Sequence, residues 1–321
     1  MHRSILCLLA YGLWTFMSAA HAAYPDRPIR IVVPYVPGGN IDITARTIAP
    51  GLSQALGVQV VIDNRGGAGG TIGTELAAKA APDGYTLLMG STGTLATAPA
   101  LYPQVGFDPV KDFAATSLVS IVPLVIVVHP AMPVKTVSDF IGLAKARPGR
   151  ITMSSSGTGT SNHLTGELFQ SVTGTKFIHV PYKGSGPALV DLMGGQVDLL
   201  FDQLSSSIGY IQGGRLHALA VTTLKRAGTL PAVPTLDESG LRGFDASTTT
   251  GIMLPAATPP DIVAKVHAAL IKTLHQPSTR DNFARIGADV LESSPDEFMR
   301  TLRVEIAKWT KVIRDANIKL E

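Results

Sequence analysis

Residues 34–42 read Pro34-Tyr35-Val36-Pro37-Gly38-Gly39-Asn40-Ile41-Asp42, directly after the apolar run Ile29-Arg30-Ile31-Val32-Val33 and directly before a helical pattern. The stretch reads as a strand end, a tight glycine-rich loop and a helix start. Gly38 and Gly39 have no Cβ and let the backbone come close to a bound group. The helix that follows aims its unpaired N–H groups and the positive end of its dipole at the loop. A loop of this kind holds an anion without a charged side chain.

The pattern around it is α/β. Short apolar strands alternate with helical stretches, as in folds built on a mostly parallel sheet. The spacing predicts a strand at 29–33 and a helix at 41–56 with Asn40 as N-cap; Pro50-Gly51 predicts a kink or early stop in that helix. Further strands are predicted at 58–62, 85–89, 151–154, 177–180, 197–201 and 216–222. Residues 115–128 read as two strand-like stretches broken near Pro123. Helices are predicted at 71–80, 136–146, 161–172, 187–193, 261–274 and 296–318, the last opened by a Ser294/Glu297 capping box. Two strand-rich halves imply two lobes about a cleft, with the chain crossing near 123–128 and again near 218–224.

Composition narrows the class. The chain has 321 residues, 45% of them hydrophobic, which is ample for a large core. The formal net charge is +3 and only 16% of residues are charged. Nucleic-acid binding needs a concentrated basic face, and no basic run exceeds two residues, so no nucleic-acid partner is expected. Arg3, the apolar stretch 5–17 and the small-x-small triplet Ala20-His21-Ala22 read as a secretion signal, residues 1–22, cleaved after Ala22 into the periplasm. Cys7, the one cysteine, lies inside it. The mature chain therefore has no thiol nucleophile, disulfide or cysteine metal site.

Several catalytic signatures are missing: no Walker loop, GxGxxG, GxSxG or HExxH occurs. In their place stand Gly/Ser/Thr loops at strand ends: Pro37-Gly38-Gly39, Gly66-Gly67-Ala68-Gly69-Gly70, Gly90-Ser91-Thr92-Gly93-Thr94 and Ser154-Ser155-Ser156-Gly157-Thr158-Gly159-Thr160-Ser161. Each alone is also an ordinary turn. Together, at the carboxyl ends of strands in an open α/β sheet, they point to a binding cleft rich in N–H and hydroxyl groups.

At this point a family resemblance is carried by the whole mature chain. Tyr24-Pro25-Asp26-Arg27-Pro28-Ile29, the Pro34–Asp42 loop, Asn64-Arg65-Gly66-Gly67-Ala68-Gly69-Gly70, Asp83-Gly84-Tyr85-Thr86-Leu87-Leu88, Gly157-x-Gly159-x-Ser161-x-His163-Leu164, Val180-Pro181-Tyr182-Lys183-Gly184, Gly195-Gln196-Val197-Asp198 and Val233-Pro234-Thr235 resemble, in order, the Bug family of solute receptors. Departures are Gly66, where the family usually has proline, and Pro50-Gly51 in the first helix.

The resemblance implies an α/β, two-lobed type II periplasmic binding protein (Venus flytrap) fold. Lobe 1 would be 24–125 and 223–321, and lobe 2 would be 126–222. It implies a monomeric receptor without cofactor or metal that captures a small carboxylate and passes it to membrane subunits of a tripartite tricarboxylate transporter, with no catalysis. Tyr35, Gly39, Asn40, Ser91 and Thr92 would face the cleft from lobe 1. Ser156, Thr158, Ser161, Tyr182 and Asp202 would face it from lobe 2.

Other readings stand beside it. A receptor that signals to a membrane partner would present the same site, and a periplasmic serine hydrolase would need a base beside a loop serine. Ser161 and His163 are two apart and do not face each other on a helix. Asp42 either favours the helix dipole or serves the site. Asp202 either meets the ligand or caps the helix beginning near Ser205. Lys183 and Arg65 read as solvated or loop-bracing.

Overall fold

The structure is a computed structural model that describes residues 24–102, 104–315 and 318. The signal read at residues 1–22 lies outside the described residues.

The first sheet begins as sequence alternation demands. In β1 (Ile29–Val33), Ile29, Ile31 and Val33 pack toward α1 (Asn40–Leu56) and α8 (Pro260–Leu274). Val32 packs on the other face, in the cluster with Leu302, Trp309 and Ile313 of α10 (Pro295–Asp315). A sheet covered on both sides needs apolar residues at odd and even positions alike. β1 lies between β2 (Val60–Asn64) and β3 (Thr86–Ser91), all parallel. Antiparallel β9 (Ser247–Pro255) follows β3, and β4 (Phe113–Val128) follows β9.

The second sheet starts on the same strand. Phe113–Pro123 pair with β9, whereas Leu124–Val128 pair with β7 (Leu199–Gln203) on one side and Val125–Val128 with β8 (His217–Val221) on the other. Beyond β7 come β5 (Ile151–Ser155) and β6 (Phe177–Pro181), parallel to each other. Its core holds Phe140, Phe169, Phe201, Leu124, Ile126 and Val128. The break read at Pro123 is therefore a change of partner within one continuous strand. Proline has no N–H to give a ladder, and it stands where one ladder ends and the next begins.

The return crossing is tied by Thr222. Its hydroxyl donates to the Ala246 carbonyl (2.6 Å) and accepts from Leu124 N–H (3.1 Å), and Ala246 N–H donates to the Thr222 carbonyl (3.1 Å). Between these two points, Leu236, Leu241 and Phe244 pack in the second sheet's core.

Three local expectations change. Pro50 does not stop α1, which runs unbroken to Leu56. Gly51 lets α1 lie directly on Thr273 of α8, where a Cβ would come within 2.5 Å, and this packing outweighs the lost hydrogen bond. Asn40 is not the N-cap of α1; Gly39 is, and no side chain caps the helix. The second strand begins at Val60, two residues later than expected, because its partner β1 fixes the register Ile29 to Val60. The helix at 137–146 does have its capping box, Thr136 with Asp139, and Ser294 and Glu297 bond reciprocally as their spacing predicts.

Candidate ligand-binding cleft

Four helices begin around one small cavity between the sheets. They are α1, α5 (Ser161–Thr173), α6 (Ser185–Met193) and α7 (Leu204–Gln212), whose N-caps are Gly39, Thr160, Gly184 and Gln203. None has a side-chain cap. Thr160, the one N-cap with a hydroxyl, turns it back to the Gly157 carbonyl (2.6 Å). Unpaired N–H groups and positive dipole ends thus converge on one point, an arrangement that favours negative charge.

The cavity holds about 20 Å³ and is lined by Tyr35, Gly39, Asn40, Ile41 and Ser91 from the first-sheet side, with Thr248 of β9. Ser156, Thr160, Ser161, Asn162, Ser185 and Gln203 line it from the second. No lining side chain is ionisable except the tyrosine, and burial pushes the Tyr35 phenol far above its ordinary range, so it stays neutral. Asn40 Nδ2 and Ser161 Oγ are buried without a hydrogen-bond partner among the described residues. Buried donors of this kind cost free energy unless a ligand or water meets them.

The two halves touch. Ser205 Oγ donates to Asn40 Oδ1 (2.6 Å), Gln203 Nε2 to Thr248 Oγ1 (3.1 Å), Tyr102 OH to the Thr158 carbonyl (3.1 Å) and Thr97 Oγ1 to the Gly159 carbonyl (2.5 Å). The cleft is in a closed arrangement.

Of the residues singled out by sequence, Tyr35, Gly39, Asn40, Ser91, Ser156 and Ser161 are brought together here. The other four are not among the lining residues. Thr92 Oγ1 bonds Thr249 Oγ1 (2.9 Å), and Thr158 offers its carbonyl to Tyr102. Tyr182 OH donates to Asp191 Oδ2 (2.6 Å). Asp202 is fully buried behind Asn162, accepting from Asn162 Nδ2 (3.2 Å) and Ser206 Oγ (2.6 Å). Burial raises its carboxyl to about 6 against these hydrogen bonds, and it does not cap α7, whose N-cap is Gln203.

Sequence reading missed Thr160, Asn162 and Ser185, although all three sit at starts of helices it had drawn or approximated. Gln203 and Thr248 carry no local signal; each follows or lies on a strand and meets the cavity only through sheet order.

Neighbouring groups are structural. Asp42 accepts from Gly38 N–H, Arg46 and Asn64, each at 3.0 Å. Burial opposes its charge, but those bonds outweigh it and hold the carboxyl below the usual range. It braces the Pro34–Gly39 loop from behind. Arg65 pairs with Asp63 at 2.8 Å. His163 Nδ1 accepts from Gly159 N–H (3.2 Å), and its ring stacks on His179 at 4.0 Å. Ser161 and His163 are not bonded to each other.

A larger groove of about 780 Å³ lies elsewhere on the second sheet's side, beside Lys135, Thr136, Leu216 and Val233. The helix N-terminus there is already satisfied by the Thr136/Asp139 box, so it lacks the converging unpaired donors of the cleft.

Fold and site together define a two-lobed binding protein whose cleft is built for an anion. The chain matches the family model described as tripartite tricarboxylate transporter family receptor over residues 44–318, and it belongs to that family. It is similar to protein BugT of Bordetella pertussis, at 39% identity over 299 residues covering 93% of this chain and 92% of BugT. Among solved structures it is similar to the periplasmic binding protein BugD (36% identity, TM-score 0.90, covering 93% of this chain and all of that one). A further match is the R. palustris protein solved with adipate (37% identity, TM-score 0.90, covering 92% of this chain and 99% of that one). The two-lobed periplasmic binding fold is thus the fold of this chain.

Proposed function

We propose that this protein is a periplasmic receptor that captures a small carboxylate between its lobes and delivers it to the membrane subunits of a tripartite tricarboxylate-type transporter. The observation that carries the reading is the convergence of four helix N-termini without side-chain caps on a cavity that also holds the unpartnered Asn40 Nδ2 and Ser161 Oγ. The similar protein solved with adipate supports the ligand class. Tyr35, Gly39, Asn40, Ser91, Ser156 and Ser161 are its proposed ligand contacts. Thr92, Thr158, Tyr182 and Asp202 act from behind them.

The lobes divide as 24–125 and 223–321 against 126–222 in the sequence reading. The packing of Leu236, Leu241 and Phe244 supports assigning residues up to Ala246 to lobe 2. The protein acts as a monomer, exported by a cleaved signal, and does no chemistry on its ligand. Ser155 Oγ lies 2.7 Å from His179 Nε2, but Ser155 does not line the cavity and His179 Nδ1 has no partner among the described residues to fix its tautomer.

Calorimetric titration with mono-, di- and tricarboxylates, alongside a neutral sugar, tests the reading. A bound acid at a hundred times its Kd stabilises the fold by about 2.7 kcal/mol. A protein stabilised by no carboxylate is not this receptor.

A further inference from the structure

Asn162 lines the cavity with its orientation forced from behind. Its Nδ2 faces the Phe201 carbonyl oxygen at 2.7 Å and Asp202 Oδ1 at 3.2 Å. Both are acceptors, so turning the amide over would set its oxygen against two oxygens. Asn162 Oδ1 therefore faces Ser156 Oγ (2.5 Å) and Gln203 Nε2 (3.3 Å). An amide oxygen only accepts, and a serine hydroxyl has one proton. Ser156 spends that proton on Asn162 and turns only lone pairs to the cavity. The cavity thus has two kinds of wall: donors at Asn40 Nδ2 and the helix starts, and an acceptor at Ser156.

We infer that Ser156, aligned through Asn162 and Asp202, reads a hydrogen-bond donor on the ligand, so that the site selects a carboxylate bearing a hydroxyl or amino group over the same acid without one. Asp202 is a positioning residue in this scheme: it fixes the Asn162 amide without lining the cavity. The inference rests on the carboxylate reading above.

The test is calorimetric titration with two matched series: propionate, lactate and alanine; succinate, malate and aspartate. In the series that binds better, a donor-bearing member binds roughly tenfold more tightly than its parent, the worth of one buried hydrogen bond. Hydroxyl and amino members separate the two donor chemistries. In Ser156→Ala the ratio falls to about one. In Asp202→Asn, whose new side chain donates as well as accepts, the ratio falls as well, although the substitution lies outside the cavity. Circular dichroism checks that each variant is folded. If parents bind as tightly as their substituted partners in the wild-type protein, the inference is overturned while the carboxylate reading stands. If none of the six acids binds while another carboxylate does, the inference is overturned and the carboxylate reading stands; if no carboxylate binds at all, the two fall together. A wild-type ratio in Asp202→Asn overturns the positioning role.

Discussion

Ser205 and Asn40 join the lobes by a 2.6 Å hydrogen bond from the Ser205 hydroxyl to Asn40 Oδ1, across 165 residues of sequence. The bond closes the cleft and also fixes the Asn40 amide. With Oδ1 taken, Nδ2 is left as the unpartnered group at the cavity. Closure and the aiming of a donor are one event at this residue.

Ser205→Ala is therefore expected to weaken carboxylate binding by roughly tenfold, through a freed amide and a lost interlobe bond. Titration of the best-bound acid measures it. An unchanged Kd would remove Ser205 from the closing machinery.

Closure also depends on Gly69, whose φ is +62° and whose added Cβ would come within 2.3 Å of the Thr158 carbonyl oxygen. Gly69→Ala is expected to hold the lobes apart, since neither the strained backbone nor the facing carbonyl yields cheaply. Small-angle scattering should show a larger radius of gyration with ligand than the wild type gives, and affinity should fall by tenfold or more.

Thr222→Val keeps the shape of the hinge residue and removes its hydroxyl. Leu124 N–H then loses its side-chain acceptor and the Ala246 carbonyl its 2.6 Å donor, both at buried positions. A loss of about 2 kcal/mol is expected in urea unfolding. A change below about 0.5 kcal/mol would show that the crossing does not depend on this clamp.

Acid titration separates two buried systems by sign. Burial raises Asp202 from 3.8 to about 6. Between those values the folded state holds a proton that the unfolded chain has lost, so its contribution to stability falls as pH rises. The histidines run the other way. Burial lowers His163, with a smaller effect from His179, to about 3, and burial lowers His179 to about 4. As pH falls below 6.5 the unfolded chain gains protons that these folded rings refuse, and stability drops by about 1.4 kcal/mol per histidine per pH unit. Urea midpoints from pH 4 to 7 should therefore fall more steeply on acidification in Asp202→Asn than in the wild type. Identical slopes would mean that Asp202 titrates at its ordinary value.

Legibility followed locality. The Pro34–Asp42 loop, the Thr136 and Ser294 caps and most strands are set by residues within a few positions of each other, and the structure has them where spacing put them. The misplaced features were those decided by distant partners. Pro50 is tolerated because α8 presses on Gly51, and β2 is shifted because β1 sets its register. Pro123 sits inside one strand because that strand changes neighbours there.

The sequence by itself determined an α/β chain with donor-rich loops at strand ends, and through the order of its motifs, the receptor family. Only the tertiary structure decided which helix starts meet, because sheet order brings β7 and β9 to the same cavity from opposite lobes. It also decided that Asp202 stands behind the wall. A carboxylate at a strand end looks the same in sequence whether it faces a ligand or an asparagine, and packing chose the asparagine.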